Sequence, residues 1–462
     1  MATCAFIRRG WPWRGIMGAI VLGGALFCLA PVRGMEDSAK VLQSVVRAAR
    51  EGYLAGLEPL KNIHDARAGD AVVRIIEDKK TPAAFKQRIA ELVAQWPWKG
   101  GLDYFEFYLR THPRLSDEML RFYADLGCVR FKPFFLGLLA PLKTAPGSDI
   151  KEPARCATAL RALGRFPEQT EAEVSRIIAL LDEKFPHVIR ISAAEALGGI
   201  KSRQGLPALI ALVKDDTVGE AAQRSLYRLT GQDFGEEADK WNAWFKEHGQ
   251  RAELKMLGVA DWETHREKKP AAAPEKQEFS ASFYGVKVKT RHCLFILDSS
   301  GSMEGERIRQ LKEEMSNLLA GFQGKPKEMR FGIIIFHSTV ETCLAGRGLL
   351  KNDPASIKKA ARFVEGLQAF GATAMVGALH FALTKVLPGG DVDTIYLLSD
   401  GAPTDGPPEE VLAMAHKIHE DFRVRIHTIG IGEAVKPAES QDRQPTLLEQ
   451  IANRTGGTYT TR

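Results

Sequence analysis

The hydrophobic period of this chain changes once, and that change restricts the fold more than any other feature. From about residue 38 to 249, apolar residues recur at three- and four-residue spacing without sustained β-branched alternation, which predicts helices almost throughout. The run Lys268-Lys-Pro-Ala-Ala-Ala-Pro-Glu-Lys-Gln277 then breaks the pattern. Its two prolines, three alanines and alternating charges read as a solvated linker. Beyond it, residues 283–288 alternate like an exposed strand. Leu294-Phe-Ile-Leu297 is a continuous apolar run, as in a strand covered on both faces. With 462 residues there is enough chain for separate cores. The expected layout is multidomain: a targeting segment at 1–34, helices at 38–250, a linker and lead-in strand at 251–285, and an α/β domain at 286–462.

A repeat lies inside the helical region. Ala-Leu-Arg-Ala-Leu-Gly ends at Gly164, Ala-Ala-Glu-Ala-Leu-Gly ends at Gly198, and Ala-Ala-Gln-Arg-Ser-Leu leads to Leu229-Thr-Gly231. Larger amphipathic segments, 174–181 and 206–213, lie between these small-residue helices. Leu163, Leu197 and Leu226 are 34 and 29 residues apart, a period that suits helix pairs. Alanines at one-turn spacing let helices approach closely, and each following glycine is expected to supply a left-handed C-cap. One pair cannot bury its own apolar face, so pairs must stack into a solenoid. Over about residues 153–230 the pattern resembles HEAT-type repeats. Trp241, Trp244 and Phe245 read as a terminal cap on the stack, with an aromatic ligand platform as the other reading.

Arg8, Arg9 and Arg14 followed by the apolar run 16–29, with small residues Val32 and Gly34 before a polar stretch, have the form of an export signal. An uncleaved N-terminal anchor is the alternative, since the run is near the lower length limit for a membrane span. A formal net charge of +6 on so long a chain, partly supplied by those arginines, gives no case for nucleic-acid binding. Cys128, Cys156, Cys293 and Cys343 are far apart and set among apolar residues. They are expected to be buried free thiols, and none lies in a Cys-x-x-Cys arrangement.

In the last third, expected strands at 293–297, 330–336, near 342, 394–398, 424–431 and 458–460 alternate with amphipathic helices. This implies a doubly wound, Rossmann-like parallel sheet with helices on both faces. Ligands bind such sheets at the carboxyl ends of the strands. There the sequence sets Asp298-Ser-Ser300-Gly-Ser302 after one strand, Ser399-Asp400-Gly after another, and Gly371-Ala-Thr373 in a loop between. Two carboxylates and three hydroxyls, without sulfur or imidazole, are the donors a hard cation prefers. Read blandly, serines and aspartates after strands are helix N-caps.

Asp-x-Ser-x-Ser, a threonine in the setting Gly-x-Thr-x4-Ala-Leu (Thr373 with Ala378-Leu379), and Ser-Asp-Gly before a proline-rich turn together resemble the von Willebrand factor A family, over residues 291–462. The resemblance implies a metal-ion-dependent adhesion site. In it Ser300 and Ser302 bind the ion directly, Thr373 directly or through water, and Asp298 and Asp400 largely through water. The expected ion is Mg²⁺, or Mn²⁺ or Ca²⁺, with an acidic group of a protein partner completing its shell. Ala372 departs from the family's usual glycine. Glu304 and Glu306 suit either a second cation or the positive end of a helix dipole, and His337 reads as a polar rim residue.

No His-Glu-x-x-His, Gly-x-Ser-x-Gly or phosphate-binding glycine loop occurs, and the serine cluster has no adjacent base. The expected function is therefore an exported, non-enzymatic interaction protein, whose α/β head stands on a helical spacer or second binding surface. It is expected to meet a membrane only if the N-terminal segment is retained. The other readings are a metal-assisted enzyme subunit, and a scaffold in which the helical repeats do the binding.

Overall fold

The computed structural model describes residues 34–51, 54–96, 100–143, 152–249, 251, 253–267, 281–288, 290–323, 329–344, 348–389, 392–432 and 445–462. The expected export segment up to residue 33 and the linker at 268–277 lie outside them. No helix among the described residues is long and apolar enough to cross a membrane. The chain divides into two units, Met1–Pro113 and Arg114–Arg462. The first contains α1 (Gly34–Arg50), α2 (Ala66–Glu77), α3 (Ala83–Ala94) and α4 (Gly101–Thr111). The apolar faces of α2 and α3 are buried through Val72, Ile75, Ile76 and Ile89.

The second unit opens with α5 (Asp117–Leu126), α6 (Lys132–Leu138), α7 (Pro153–Leu163), α8 (Glu171–Ala179), α9 (His187–Gly199), α10 (Leu206–Ala211), α11 (Gly219–Thr230), α12 (Ala238–His248) and α13 (Val259–Glu267). Local chemistry sets several boundaries. Thr170 and Glu173 form a reciprocal capping box at the start of α8, and Ser116 caps α5 by accepting from the Met119 N–H. Gly127, with φ of 60°, ends α5 in the left-handed conformation.

The small-residue helices α7, α9 and α11 pack side by side, with Leu163, Leu197 and Leu226 buried between them. Their glycines do not act as expected. Only Gly231 takes a left-handed C-cap, whereas Gly164 is right-handed and Gly198 lies within α9. A Cβ on Gly198 would lie 2.5 Å from the Ser225 Oγ, and one on Gly164 would lie 2.8 Å from the Ala196 Cα. These glycines are required by helix-to-helix approach, not by a turn.

Trp241 is buried as the packed-cap reading expects. It meets Phe234 edge-on at 4.8 Å and donates from Nε1 to the Gly235 carbonyl. Helical structure continues past residue 250, where a linker was expected. Lys255 and Leu257 donate backbone N–H groups to Leu229 and Arg228, and Trp262 of α13 packs against Tyr227 of α11. The apolar side chains of this stretch, buried Leu254 and Trp262 with half-buried Leu257 between them, are too widely spaced to give a period in the sequence.

The α/β part contains β1 (Ser282–Phe283), β2 (Val286–Lys287), β3 (His292–Asp298), α14 (Glu306–Phe322), β4 (Arg330–Phe336), β5 (Val340–Thr342), β6 (Leu350–Lys351), α15 (Pro354–Glu365), α16 (Met375–Phe381), β7 (Thr394–Ser399), α17 (Pro408–Phe422), β8 (Arg425–Gly430), α18 (Leu447–Thr455) and β9 (Tyr459–Thr461). The segment expected to be one exposed strand is instead the β1–β2 hairpin. It turns at Tyr284-Gly285 and buries Phe283 against Phe295. The main sheet runs β5-β4-β3-β7-β8-β9, parallel from β4 to β9, with β5 and β6 antiparallel to β4. Alternate residues of β3 feed two cores. Phe295 and Leu297 meet the α14–α15 side, whereas Leu294 and Ile296 meet the side of α16, α17 and α18. The doubly wound fold is thus observed, and its direction reverses between β3 and β7.

Within the second unit the helical repeats dock against the carboxyl end of α17, in place of the expected head on a spacer. Arg161 donates to the Glu420 carbonyl and His187 Nε2 meets the Phe422 carbonyl at 2.9 Å, so both cover free carbonyls at the end of α17. Arg423 binds Glu195 at 2.9 Å, Glu195 also binds Arg224 at 2.6 Å, and Arg121 pairs with Asp421. Burial pushes the Glu195 carboxyl up, but Arg423, Arg224 and Arg161 outweigh it and hold the group below its ordinary value.

Candidate metal centre

The reversal between β3 and β7 leaves a crevice at the carboxyl ends of these neighbouring strands, and the oxygen-bearing residues gather there. Asp298 ends β3 and is fully buried. One carboxylate oxygen accepts from the Ser300 N–H at 2.8 Å and the other from the Ser399 Oγ at 2.5 Å. Burial raises this carboxyl above its ordinary value, the bonds from Ser399 and Ser300 lower it, and the neighbouring Asp400 raises it. Ser300 Oγ lies 3.0 Å from Ser302 Oγ, which donates to Asp400 Oδ1 at 2.7 Å. Four of the five expected residues therefore form one hydrogen-bonded chain.

Thr373 is joined to this cluster through its loop. The Gly301 N–H donates to the Gly371 carbonyl at 3.1 Å, and the Phe370 N–H to the Ser299 carbonyl at 3.0 Å. Thr373 itself exchanges bonds with Thr404: its N–H donates to the Thr404 Oγ1, and its carbonyl accepts from the Thr404 N–H. Gly371 has φ of 75°, and a Cβ there would fall 2.3 Å from the Ser338 Oγ, so this loop position needs glycine. The donor set is oxygen only, with hydroxyls and two carboxylates gathered at one crevice, which fits a hard divalent cation. Among the described residues no cluster of three or more His, Cys, Asp or Glu side chains offers a rival site.

Three further residues belong to this arrangement: Ser399, quoted in the sequence only as part of the Ser-Asp-Gly motif, and Arg307 and Asp405, which the sequence did not single out. Ser399 fixes Asp298. Arg307 donates to Asp400 Oδ2 at 2.5 Å and to the Ser302 carbonyl at 3.0 Å. Asp405 accepts from the Val376 and Gly377 N–H groups at the start of α16. Ser399 and Arg307 were legible in principle, one being adjacent to Asp400 and the other one helical turn beyond the serine motif. Glu306 is engaged by Arg309 and Gln310 on the outer face of α14, in line with its helix-dipole reading. His337, expected as a polar rim residue, is turned inward instead. Its ring is buried, meets Glu341 at 3.1 Å through Nε2 and lies 4.1 Å from the Phe370 ring. All four described cysteines are free thiols, and Cys128 is only half-buried.

A doubly wound sheet with serines and aspartates at its reversal defines a class of binding domain, and comparison with known proteins agrees. Residues 293–462 match the von Willebrand factor type A domain, and residues 151–229 match HEAT repeats. The chain thus carries a von Willebrand factor type A domain preceded by HEAT repeats. A human relative, inter-alpha-trypsin inhibitor heavy chain H4, is 31% identical over 130 residues, which is 26% of this chain and 13% of that protein. Bovine heavy chain H1 is 28% identical over 160 residues, 32% of this chain and 17% of its own. The chain therefore spans less than a fifth of the length of these relatives. Among solved structures, proximal thread matrix protein 1 from the mussel byssus, described with a zinc-occupied MIDAS motif, is 21% identical, with 37% and 41% of the two chains covered and a TM-score of 0.28.

Proposed function

We propose that this is an exported, non-enzymatic interaction protein that holds a divalent cation at Asp298, Ser300, Ser302, Thr373 and Asp400 and recognises an acidic group on a protein partner. The observation that carries this reading is the chain Ser300 Oγ–Ser302 Oγ–Asp400 Oδ1, at 3.0 and 2.7 Å, in the crevice of the sheet. Neutral hydroxyls near the ion leave its charge incompletely balanced, so an anionic oxygen is the favoured external ligand. Mg²⁺ is the first candidate, with Mn²⁺ and Ca²⁺ as alternatives. The similarity to inter-alpha-trypsin inhibitor heavy chains favours binding over catalysis.

The test has two readouts. Mg²⁺ or Mn²⁺ titrated into the full chain should give saturable heat, and Asp298→Ala should abolish it while leaving the circular dichroism spectrum unchanged. Affinity capture from an envelope fraction, with Mg²⁺ or with chelator, should lose specific proteins in chelator. Capture by Asp298→Ala at full affinity would sink the proposal.

A further inference from the structure

Beside the candidate centre stands one of the few large apolar side chains that the described surface exposes. Phe370 is 50% exposed, and it lies three residues before Thr373. Its backbone is fixed at the centre itself by the 3.0 Å bond from its N–H to the Ser299 carbonyl. The next two residues are fixed as well. Gly371 accepts from Gly301, and the Ala372 N–H donates to the Ser338 Oγ at 3.0 Å. The inner face of the Phe370 ring rests on His337, with centroids 4.1 Å apart. His337 is in turn held from two sides, by the Thr339 N–H on Nδ1 at 3.2 Å and by Glu341 on Nε2 at 3.1 Å. The outer face of the ring is therefore a rigid apolar platform on the rim, not a mobile side chain folded back on the core.

We infer that Phe370, backed by His337, is a specificity-determining residue that selects partners in which the acidic group is flanked by an apolar side chain. The inference rests on the metal-dependent reading above and narrows its partner class. An anchored aromatic next to a polar contact is the arrangement that concentrates binding energy at interfaces, because ordering it costs little additional entropy. A purely electrostatic site would be served by a polar residue here.

The test uses the full chain in Mg²⁺ and a set of synthetic peptides, each with one central Glu flanked by Leu, Ser or Lys, plus the corresponding Gln peptides. The Leu-flanked Glu peptide should bind about tenfold more tightly than the Ser-flanked one, on the scale of burying one aliphatic side chain. Phe370→Ala should reduce that ratio to near one, and Phe370→Trp should retain it. Equal binding of Leu and Ser peptides, a preference for Lys, or a Leu preference that survives Phe370→Ala would overturn the inference while leaving Glu- and metal-dependent binding intact. Loss of the distinction between Glu and Gln peptides would instead remove the metal-dependent reading, and this inference with it.

Discussion

A methyl group added at Gly199 would lie 2.0 Å from the Gly164 carbonyl oxygen, which is backbone and cannot rotate away. Overpacking of this kind typically costs about 1–3 kcal/mol. Gly199→Ala is therefore expected to lower the urea midpoint markedly, whereas Gly137→Ala, with open space around it, should not. A second residue-scale expectation concerns Asp393, which is buried at the amino end of β7 and accepts from the His292 N–H at 3.1 Å. Burial pushes its carboxyl up to about 7. Between the ordinary carboxylate range and pH 7 the folded state then holds a proton that the unfolded state has lost, so stability falls as pH rises through this window. Asp393→Asn should raise the melting temperature more at pH 8 than at pH 5, and equal shifts at both pH values would contradict the assignment. The candidate ligand residues were legible because each sits in a short motif, four of them at the end of an apolar strand and Thr373 in the loop before a helix. Asp405 was not, because what defines it is a pair of backbone partners, Val376 and Gly377, nearly thirty residues away, which no local pattern encodes.

At the scale of elements, the end of α17 is the least predictable part of the fold. Its amphipathic period and Pro408 at its start announce a helix, but nothing in the segment announces that Arg161 and His187 cap its carbonyls. Strand and helix types were legible in the α/β part because β-branched runs and amphipathic stretches alternate cleanly. The β1–β2 hairpin was misread because Tyr284, with φ of 50°, stands where a turn more often shows asparagine or glycine. The docking contact makes its own prediction. Glu195 is shared by Arg224 and Arg423, so Glu195→Ala leaves buried guanidinium charge poorly compensated. Removing one partner of such a group costs about 3–5 kcal/mol. The loss should appear in chemical denaturation and be smaller for the exposed pair Arg309–Glu313.

At the scale of the whole molecule, docking joins the HEAT repeats and the von Willebrand factor A domain in one unit. Residues 280–462 expressed alone should melt below the full chain and be cut sooner by protease near residue 420, with 114–462 recovering both properties. The sequence pointed to two independent parts because the proline-containing linker is a local signal, whereas the docking is built from arginines spread over hundreds of residues. The register of the sheet adds a last point. Ser399 pairs with Gly430 at the candidate centre, whereas Arg425, hydrogen-bonded to the Asp216 carbonyl, begins β8 at the opposite end. Asp298, at one end of β3, faces away from Arg291, which precedes the other end and pairs with Glu183. Tension on anything gripped at the crevice would thus travel the length of the parallel strands before reaching the helical repeats. It would load neighbouring backbone bonds together in shear, so the domain is mounted to resist being unzipped strand by strand.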